Sequence, residues 1–181
     1  MKISTMIALL LFFLVFLGCG YILEKVEKTI VGDMPMKKAS QLWKDVPQIE
    51  GAKPIQMEDP PLPVKIAIGL MLKQSGHLEE GEKIEWIAFE TERSAQEIKQ
   101  IYSAEKMRNF GNWLSDLKDM EPCQFIQNTA QQQGDSQALG CSFEKEDNGI
   151  KSYLIVFSTK PETEKNNLVF YLRAEKLQTP K

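Results

Sequence analysis

The chain has 181 residues and carries 22 Lys and Arg against 25 Asp and Glu, which gives a formal net charge of −3. Acidic and basic side chains alternate finely along most of it, whereas a nucleic-acid-binding face needs clustered Lys and Arg, so no nucleic-acid partner is expected. Once an N-terminal export segment is set aside, about 160 residues remain, enough for one domain with a sizeable core.

The N-terminus carries the strongest signal in the sequence. No charged side chain occurs from Met6 to Leu23, and the run from Ile7 to Leu17 is apolar throughout. Lys2 and the α-amino group supply a short positive start before it. A positive start followed by an apolar core of about 7–15 residues is typical of a signal peptide.

The apolar run ends at Phe16-Leu17-Gly18-Cys19. This stretch resembles the lipobox of bacterial lipoproteins, in which a signal peptidase cleaves before the cysteine and the cysteine thiol is acylated. The resemblance implies a signal peptide at residues 1–18, lipidation at Cys19, and a lipid anchor in the cell membrane or the outer membrane.

Two other interpretations of the N-terminus stay open. Residues 6–23 are just long enough to span a bilayer as a helix, which takes roughly 17–25 residues, so they can form an uncleaved anchor. Ordinary secretion is the other interpretation. Lipidation and an uncleaved anchor both leave the rest of the chain on the extracytoplasmic side, with membrane lipid as its first partner.

Cysteine usage agrees with export. Cys123 and Cys141 are the cysteines other than Cys19, an even pair in a chain that faces an oxidising compartment. The sequence between them predicts a strand, a polar turn at residues 131–136 and a second strand, which places the two cysteines opposite each other in an antiparallel pair. We therefore expect a disulfide bond between them, with two buried free thiols as the alternative.

Composition divides the exported part into a tether and one domain. Residues 19–39 include a stretch that mixes charged side chains with Gly32 and Pro35, and they are expected to hold the domain off the membrane. Residues 40–181 are expected to form a single domain, and no internal repeat is evident in them.

The segment from Val64 to Lys73 fits two patterns. Its apolar residues alternate as they do in a strand, but they also form one face of a helix. Pro63 suits the first turn of a helix and Gly76 suits its C-terminal cap. Because these flanking residues are typical of the start and the end of a helix, we favour the helix.

A strand followed by a helix is predicted next. Lys83 to Thr91 carries apolar residues on both faces, as a central strand does. Ser94 and Glu97 form a capping-box signature, in which the serine oxygen accepts from the first helical N–H groups and the glutamate reaches back. The helix is expected to bury Ile98, Ile101 and Tyr102, to end in a second short turn with Met107 and Phe110, and to stop at Gly111.

From Cys123 onward the pattern is β. Period-two strands are predicted at residues 123–128, 137–145, 150–159 and 167–175. Asn148-Gly149 accepts the positive φ angles of a type I′ turn and is the strongest hairpin signal. The predicted fold class is α+β: a mostly antiparallel sheet with a C-terminal β-meander, and one or two helices packed on one face.

Short motifs in the domain resemble bacterial envelope lipoproteins. They are Trp43-x-Asp45-Val46-Pro47 with Gly51-Ala52, Pro61-Leu62-Pro63, and Ala88-Phe89-x-Thr91 followed by Tyr102-x-x-Glu105-x-Met107. The resemblance covers most of residues 43–175. It implies no particular activity, but it supports the helical interpretation of residues 64–73.

The sequence shows no catalytic, metal-binding or cofactor-binding constellation, and no cofactor is expected. His77 is the one histidine and is interpreted as a surface residue, because zinc sites and nucleophile–histidine pairs need further partners. Several aromatic residues are interpreted as core residues, with a sugar or lipid groove as the alternative. They are Trp43, Trp86, Trp113, Tyr102, Tyr153 and Tyr171.

Three hypotheses about function follow. The preferred one is a membrane-anchored, non-enzymatic binding or accessory domain of the cell envelope, with an envelope protein or a glycan as partner. It predicts no deep polar cleft, and contact through an exposed apolar patch or an open sheet face. The second is an extracytoplasmic carboxylate-dependent hydrolase or carbohydrate-active enzyme, which requires two acidic side chains in a concave pocket. The third is a structural spacer, which would be preferred if no concave surface existed.

Overall fold

The computed structural model describes residues 36–62, 64–67, 69, 83–116, 121–126, 138–161 and 165–177. The predicted signal peptide at residues 1–18, the lipidation site Cys19, the alternative anchor at 6–23 and His77 lie outside these ranges, as does most of the predicted tether. Within these ranges, no helix combines the length and the apolar character that a membrane span requires.

One sheet of eight strands organises the described residues. In chain order the strands are β1 (Met36–Lys38), β2 (Lys53–Pro54), β3 (Lys83–Thr91), β4 (Leu114–Ser115), β5 (Cys123–Ile126), β6 (Ala138–Asp147), β7 (Ile150–Thr159) and β8 (Asn167–Leu177). Their order across the sheet is β1-β3-β8-β7-β6-β4, with β2 also paired to β3 and β5 also paired to β6.

Two short helices follow β3. They are α1 (Ala95–Ile101) and α2 (Ala104–Gly111). Residues 62, 64–67 and 69 are also helical. The helical interpretation of residues 64–73 is therefore confirmed at positions 64–67 and 69, and its other positions lie outside the described residues.

The α+β class agrees with this architecture, but the sheet is mixed. β1 runs parallel to β3, with Met36 opposite Ile84, so the expectation of a mostly antiparallel sheet is only partly right. A parallel pair needs a long crossover connection, which residues 39–82 supply. The predicted C-terminal meander is present, because β6, β7 and β8 pair in sequence as antiparallel neighbours.

Both faces of the sheet are covered, which corrects the expectation that helices pack on one face only. α1 and α2 lie over the first face together with residues 39–49. Residues 55–67, which include helical positions, pack on the second face. The reason is that the central strands are apolar on both sides: Ile87 is buried in the first face and Trp86 in the second. Either face, if left bare, would expose a large apolar area to water.

The hairpin between β6 and β7 turns at the predicted residues. Asn148 and Gly149 have φ angles of 51° and 74°. Asp147 pairs with Ile150 directly across the turn. Two consecutive positive φ angles in a two-residue loop are the signature of a type I′ turn, so this prediction is confirmed.

Cys123 and Cys141 lie directly opposite each other in the β5–β6 pair, as the sequence predicts. Their sulfur atoms are 2.10 Å apart and their Cα atoms 4.0 Å apart, which is compatible with the expected disulfide bond. Both side chains are almost completely buried and belong to the core of the first face. The pair thus ties the short strand β5 to the long strand β6.

Candidate binding groove

Asp45 fixes the segment between Trp43 and Pro47 onto the sheet. Its carboxylate accepts hydrogen bonds from Arg173 at 3.1 and 3.2 Å and pairs with Lys145. The side chains of Arg173 and Lys145 are only 14% and 12% exposed, so their charges need close anions. Asp45 supplies one to both of them, and Glu175 lies 2.8 Å from Arg173 as a second. This ion cluster holds the segment in one position.

Two tryptophans enclose the ion cluster. The guanidinium carbon of Arg173 lies 5.8 Å from the ring centre of Trp43 and 5.7 Å from that of Trp113. The ammonium group of Lys145 lies 4.8 Å from the ring centre of Trp113. These are distances at which a cation is attracted to an aromatic face. The indole N–H of Trp113 also donates to the backbone carbonyl of Asp45 at 2.8 Å, so this ring is a structural partner of the segment.

Gly111 ends α2 as predicted, but for a different reason. The residue that takes the left-handed C-cap conformation is Asn112, with a φ of 57°. A Cβ atom at Gly111 would lie 2.2 Å from the carbonyl oxygen of Asp45. Gly111 is therefore required for the close approach between α2 and the Asp45 segment.

A buried pair of tyrosines holds Pro47. The hydroxyl of Tyr102 donates to the carbonyl of Pro47 at 2.7 Å and lies 2.7 Å from the hydroxyl of Tyr171. Because a phenol has one proton, the Tyr171 hydroxyl is the donor to Tyr102. Burial raises the pKa of both phenols, so both stay neutral at ordinary pH and the hydrogen bonds persist. Ile49, which is 1% exposed, then fixes the next part of the chain in the core.

α1 begins at the capping box predicted from Ser94 and Glu97, and the structure confirms it. The backbone N–H of Ser94 donates to the Glu97 carboxylate at 2.8 Å, and the backbone N–H of Glu97 donates to the Ser94 hydroxyl at 3.3 Å. Arg93 adds an ion pair with Glu97 at 3.0 Å. The bond from the Ser94 backbone, followed by the bonds from the Ser94 hydroxyl and from Arg93, lowers the pKa of Glu97 to about 2. Glu97 is thus an anion that fixes the start of α1.

A groove runs between residues 47–53 on one side and α1 and α2 on the other. It consists of three depressions of about 430, 330 and 320 Å³. The first two share Arg93 and Glu97, and the last two share Ile101 and Lys106, so they form one continuous surface. We call it the α1 groove. Both of its walls are fixed, one by the Asp45 cluster and the tyrosine pair, the other by the capping box.

The end of the α1 groove next to β3 is acidic. The charged residues among those described at this end are Glu50, Glu90, Glu92, Glu97, Lys53 and Arg93. Arg93 and Glu97 pair with each other. Arg93 also lies 3.9 Å from Glu50. Four glutamates against two cations give this end an excess of negative charge.

The opposite end of the α1 groove is apolar. It is lined by Pro47, Ile101, Asn109 and Phe110, with Lys106 as its one charged residue. Phe110 lies in α2, the second short helical turn that the sequence predicts with Met107, and its side chain is 55% exposed. α2 ends at Gly111, and Trp113, two residues further along, is 0% exposed and takes a core position.

The aromatic residues predicted from the sequence do not line this groove. Trp86 and Trp113 are 1% and 0% exposed, and Tyr102, Tyr153 and Tyr171 are buried as well. Trp43 is half-buried against Arg173. Five of the six are core residues as interpreted, and Trp43 is a half-buried residue packed against the core of the first face. These six residues do not build a sugar or lipid groove.

The chemistry-bearing residues of the described chain do not assemble into a metal centre. No group of three or more His, Cys, Asp or Glu residues among them is arranged to hold a metal ion. Sequence reasoning also missed the α1 groove, apart from its capping box. Its second wall, residues 47–53, is irregular up to Lys53, the first residue of β2, and no spacing in the sequence indicates that this wall faces α1.

The sequence matches no protein-family model, no curated protein and no solved structure. The resemblance to bacterial lipoproteins therefore stays a prediction, and the function has to be argued from the geometry of the chain itself.

Proposed function

We propose that this chain is a membrane-anchored, extracytoplasmic protein of the cell envelope whose domain is a non-enzymatic binding module. The observation that carries the binding role is the α1 groove, a concave surface with one acidic end, one apolar end and two fixed walls. Because both faces of the sheet are covered, the groove offers the contact surface that an open sheet face would otherwise provide.

The proposed extracytoplasmic location rests on the sequence. The apolar run from Ile7 to Leu17 and the lipobox-like residues ending at Cys19 support export and lipidation, with the domain held at the cell membrane or the outer membrane. The Cys123–Cys141 pair at disulfide distance is in keeping with an oxidising compartment. Membrane lipid at the N-terminus and an envelope protein or glycan at the domain are the partners we propose, and no nucleic acid.

Metabolic labelling with a fatty-acid analogue tests the proposed lipid anchor, by comparison of the natural chain with Cys19→Ser. We expect the natural chain to be labelled and Cys19→Ser to lose the label. Equal labelling and equal mobility of the two would favour the uncleaved anchor at residues 6–23. A C-terminal reporter that is active only in the cytoplasm would contradict the extracytoplasmic address in either form.

A carboxylate-dependent hydrolase is the second candidate, because several glutamates line a concave surface. The hydrolases of this class need one carboxyl group that holds a proton near neutral pH. Glu97, with a pKa of about 2, cannot serve as that acid. Glu50, Glu90 and Glu92 are the residues left to test. Turnover of chromogenic glycosides or esters by the full chain, abolished in Glu50→Gln, Glu90→Gln or Glu92→Gln, would favour the enzyme over the binding module.

A further inference from the structure

We propose that the α1 groove binds an extended segment of another protein, one that carries basic side chains followed by a large apolar side chain about three residues further along. This inference specifies the partner of the binding domain proposed above and rests on that proposal. It is argued from the charge of the groove, its apolar end, its length and its fixed walls.

The acidic end selects for basic side chains. Glu50 lies 3.9 Å from Arg93 and its side chain is 94% exposed, so its carboxylate is open to an incoming cation. Glu90 and Glu92 line the same depression. Exposed charges of this kind contribute more to the rate of encounter and to partner choice than to affinity. A peptide with Lys or Arg at this position is therefore favoured over an acidic one.

The apolar end supplies the anchor. Phe110 is the most exposed large hydrophobic residue among those described, and Pro47 and Ile101 lie beside it in the same depression. Aromatic residues that become buried on association are the commonest source of binding energy at protein interfaces. A Phe or Leu side chain of the partner would remove Phe110 from water.

The length of α1 sets the spacing between the two ends. Arg93, which precedes α1, lines the acidic depression, and Ile101, the last residue of α1, lines the apolar one, so the whole helix lies between them. A helix of seven residues is about 10 Å long at 1.5 Å per residue. An extended chain covers about 3.3 Å per residue, so about three residues connect the basic and the apolar positions of the partner.

An extended segment suits this groove better than a second copy of the chain. The surfaces that hold permanent homodimers together are larger and more apolar than a groove with one charged end. Because contacts within the chain fix both walls, the groove itself loses little freedom on binding, and it can bind a flexible partner whose ordering has a cost of its own. The fixed contacts are the Tyr102–Pro47 hydrogen bond, the Asp45 cluster and the capping box.

The probe is the fluorescent hexapeptide Lys-Lys-Ser-Ser-Phe-Leu, measured by anisotropy against the full chain in detergent micelles. The matched control peptides are Glu-Glu-Ser-Ser-Phe-Leu, which reverses the charge, and Lys-Lys-Ser-Ser-Ser-Ser, which lacks the apolar anchor. We expect the probe to bind at least about tenfold more tightly than either control, the ratio that a single hot-spot contact provides.

Two variants test the groove residues. Phe110→Ala is expected to raise the dissociation constant of the probe about tenfold. The double variant Glu90→Gln/Glu92→Gln is expected to bind the probe more weakly. Its affinity should also depend less on salt concentration, because the charges that salt screens have been removed. Leu114→Ala removes an exposed apolar group outside the groove, and Glu58→Gln removes an exposed charge outside it. Both controls should bind the probe as tightly as the natural chain does. Unchanged urea midpoints of all four variants would show that each is folded.

Several results would overturn the inference. They are equal binding of the three peptides, no binding of the probe at millimolar concentration, and full affinity in Phe110→Ala. A dimer in sedimentation that Phe110→Ala dissociates would assign the groove to a second copy of the chain instead. None of these results affects the fatty-acid labelling of Cys19 or the reporter measurement, so failure here and failure of the proposed address are distinguishable.

Discussion

Arg173 donates from Nη1 to both carboxylate oxygens of Asp45, at 3.1 and 3.2 Å, across 128 residues of sequence. This contact joins strand β8 to the segment that continues into one wall of the α1 groove. Lys145 of β6 donates to the same carboxylate. One side chain therefore connects two strands of the sheet to the groove wall, and the shape of the groove depends on it.

Replacement of Asp45 should destabilise the fold. Asp45→Asn keeps the size of the side chain but removes the anion that Lys145 and Arg173 share, so that Arg173 keeps only its ion pair with Glu175 at 2.8 Å. We expect a loss of about 2 kcal/mol in the free energy of unfolding, less than the roughly 3–5 kcal/mol for a fully buried pair, because solvent reaches the carboxylate. Urea unfolding measures it, with Glu58→Gln as the exposed control. A midpoint equal to that of the natural chain would show that the cluster does not hold the segment.

Glu97 should make the stability of the chain sensitive to acid. Its pKa is about 2 in the fold against an ordinary 4.5, so it stabilises the fold above pH 4.5 and loses that contribution as the pH falls towards 2. The difference in stability between the natural chain and Glu97→Gln should therefore be largest near neutral pH and shrink in acid. Thermal unfolding over a pH series measures this difference.

Glu105→Gln is the matched control for the capping box. Glu105 occupies the first turn of α2, where no side-chain cap hydrogen bond is present. Its removal should give a smaller difference at neutral pH than removal of Glu97, because no capping hydrogen bond is lost. If Glu97→Gln and Glu105→Gln gave the same pH profile, the capping box would not be the source of the effect.

Substitutions at the two residues of the β6–β7 turn should change the stability of the chain differently. Gly149 has a φ of 74° and no atom lies within 4 Å of the position of an added Cβ, so Gly149→Ala acts through the backbone alone. We expect it to lower the free energy of unfolding by about 1 kcal/mol, the strain of a left-handed L-residue. Asn148→Gly should be neutral or slightly stabilising, because glycine accepts the φ of 51° without strain. Urea midpoints that fall equally in both variants would contradict a type I′ turn.

The parts of the fold that sequence predicts are those coded by neighbouring residues. Strand β7 is predicted at its observed bounds, and the Asn148-Gly149 turn and the Ser94–Glu97 capping box are found as expected. Period-two hydrophobicity, turn chemistry and helix caps are local signals, and here they agree with the tertiary structure. The opposition of Cys123 and Cys141 follows from the same strand pairing.

The parts that sequence does not predict depend on contacts between distant segments. The parallel pairing of β1 with β3 joins residues more than 40 positions apart, for example Met36 and Ile84, and has no local signal. The exposure of Phe110 depends on where Trp113 packs. The α1 groove exists because the Asp45 cluster holds residues 47–53 beside α1. The two cations of this cluster, Lys145 of β6 and Arg173 of β8, lie about 100 or more residues further along the sequence.

The Cys123–Cys141 pair gives the last prediction. A bond between residues 18 positions apart restricts the unfolded chain, and on the chain-entropy model a loop of this size contributes about 3 kcal/mol to stability. We expect a loss of this size on reduction of the natural chain, measured by urea unfolding with and without dithiothreitol. Reduction leaves both buried sulfur atoms in the core, so it separates the effect of the bond from that of packing. The double variant Cys123→Ala/Cys141→Ala should be destabilised at least as much and should not respond to dithiothreitol. If alkylation of the purified natural chain labelled both thiols without reduction, the pair would be two free cysteines packed against each other, and one support for an oxidising compartment would be lost.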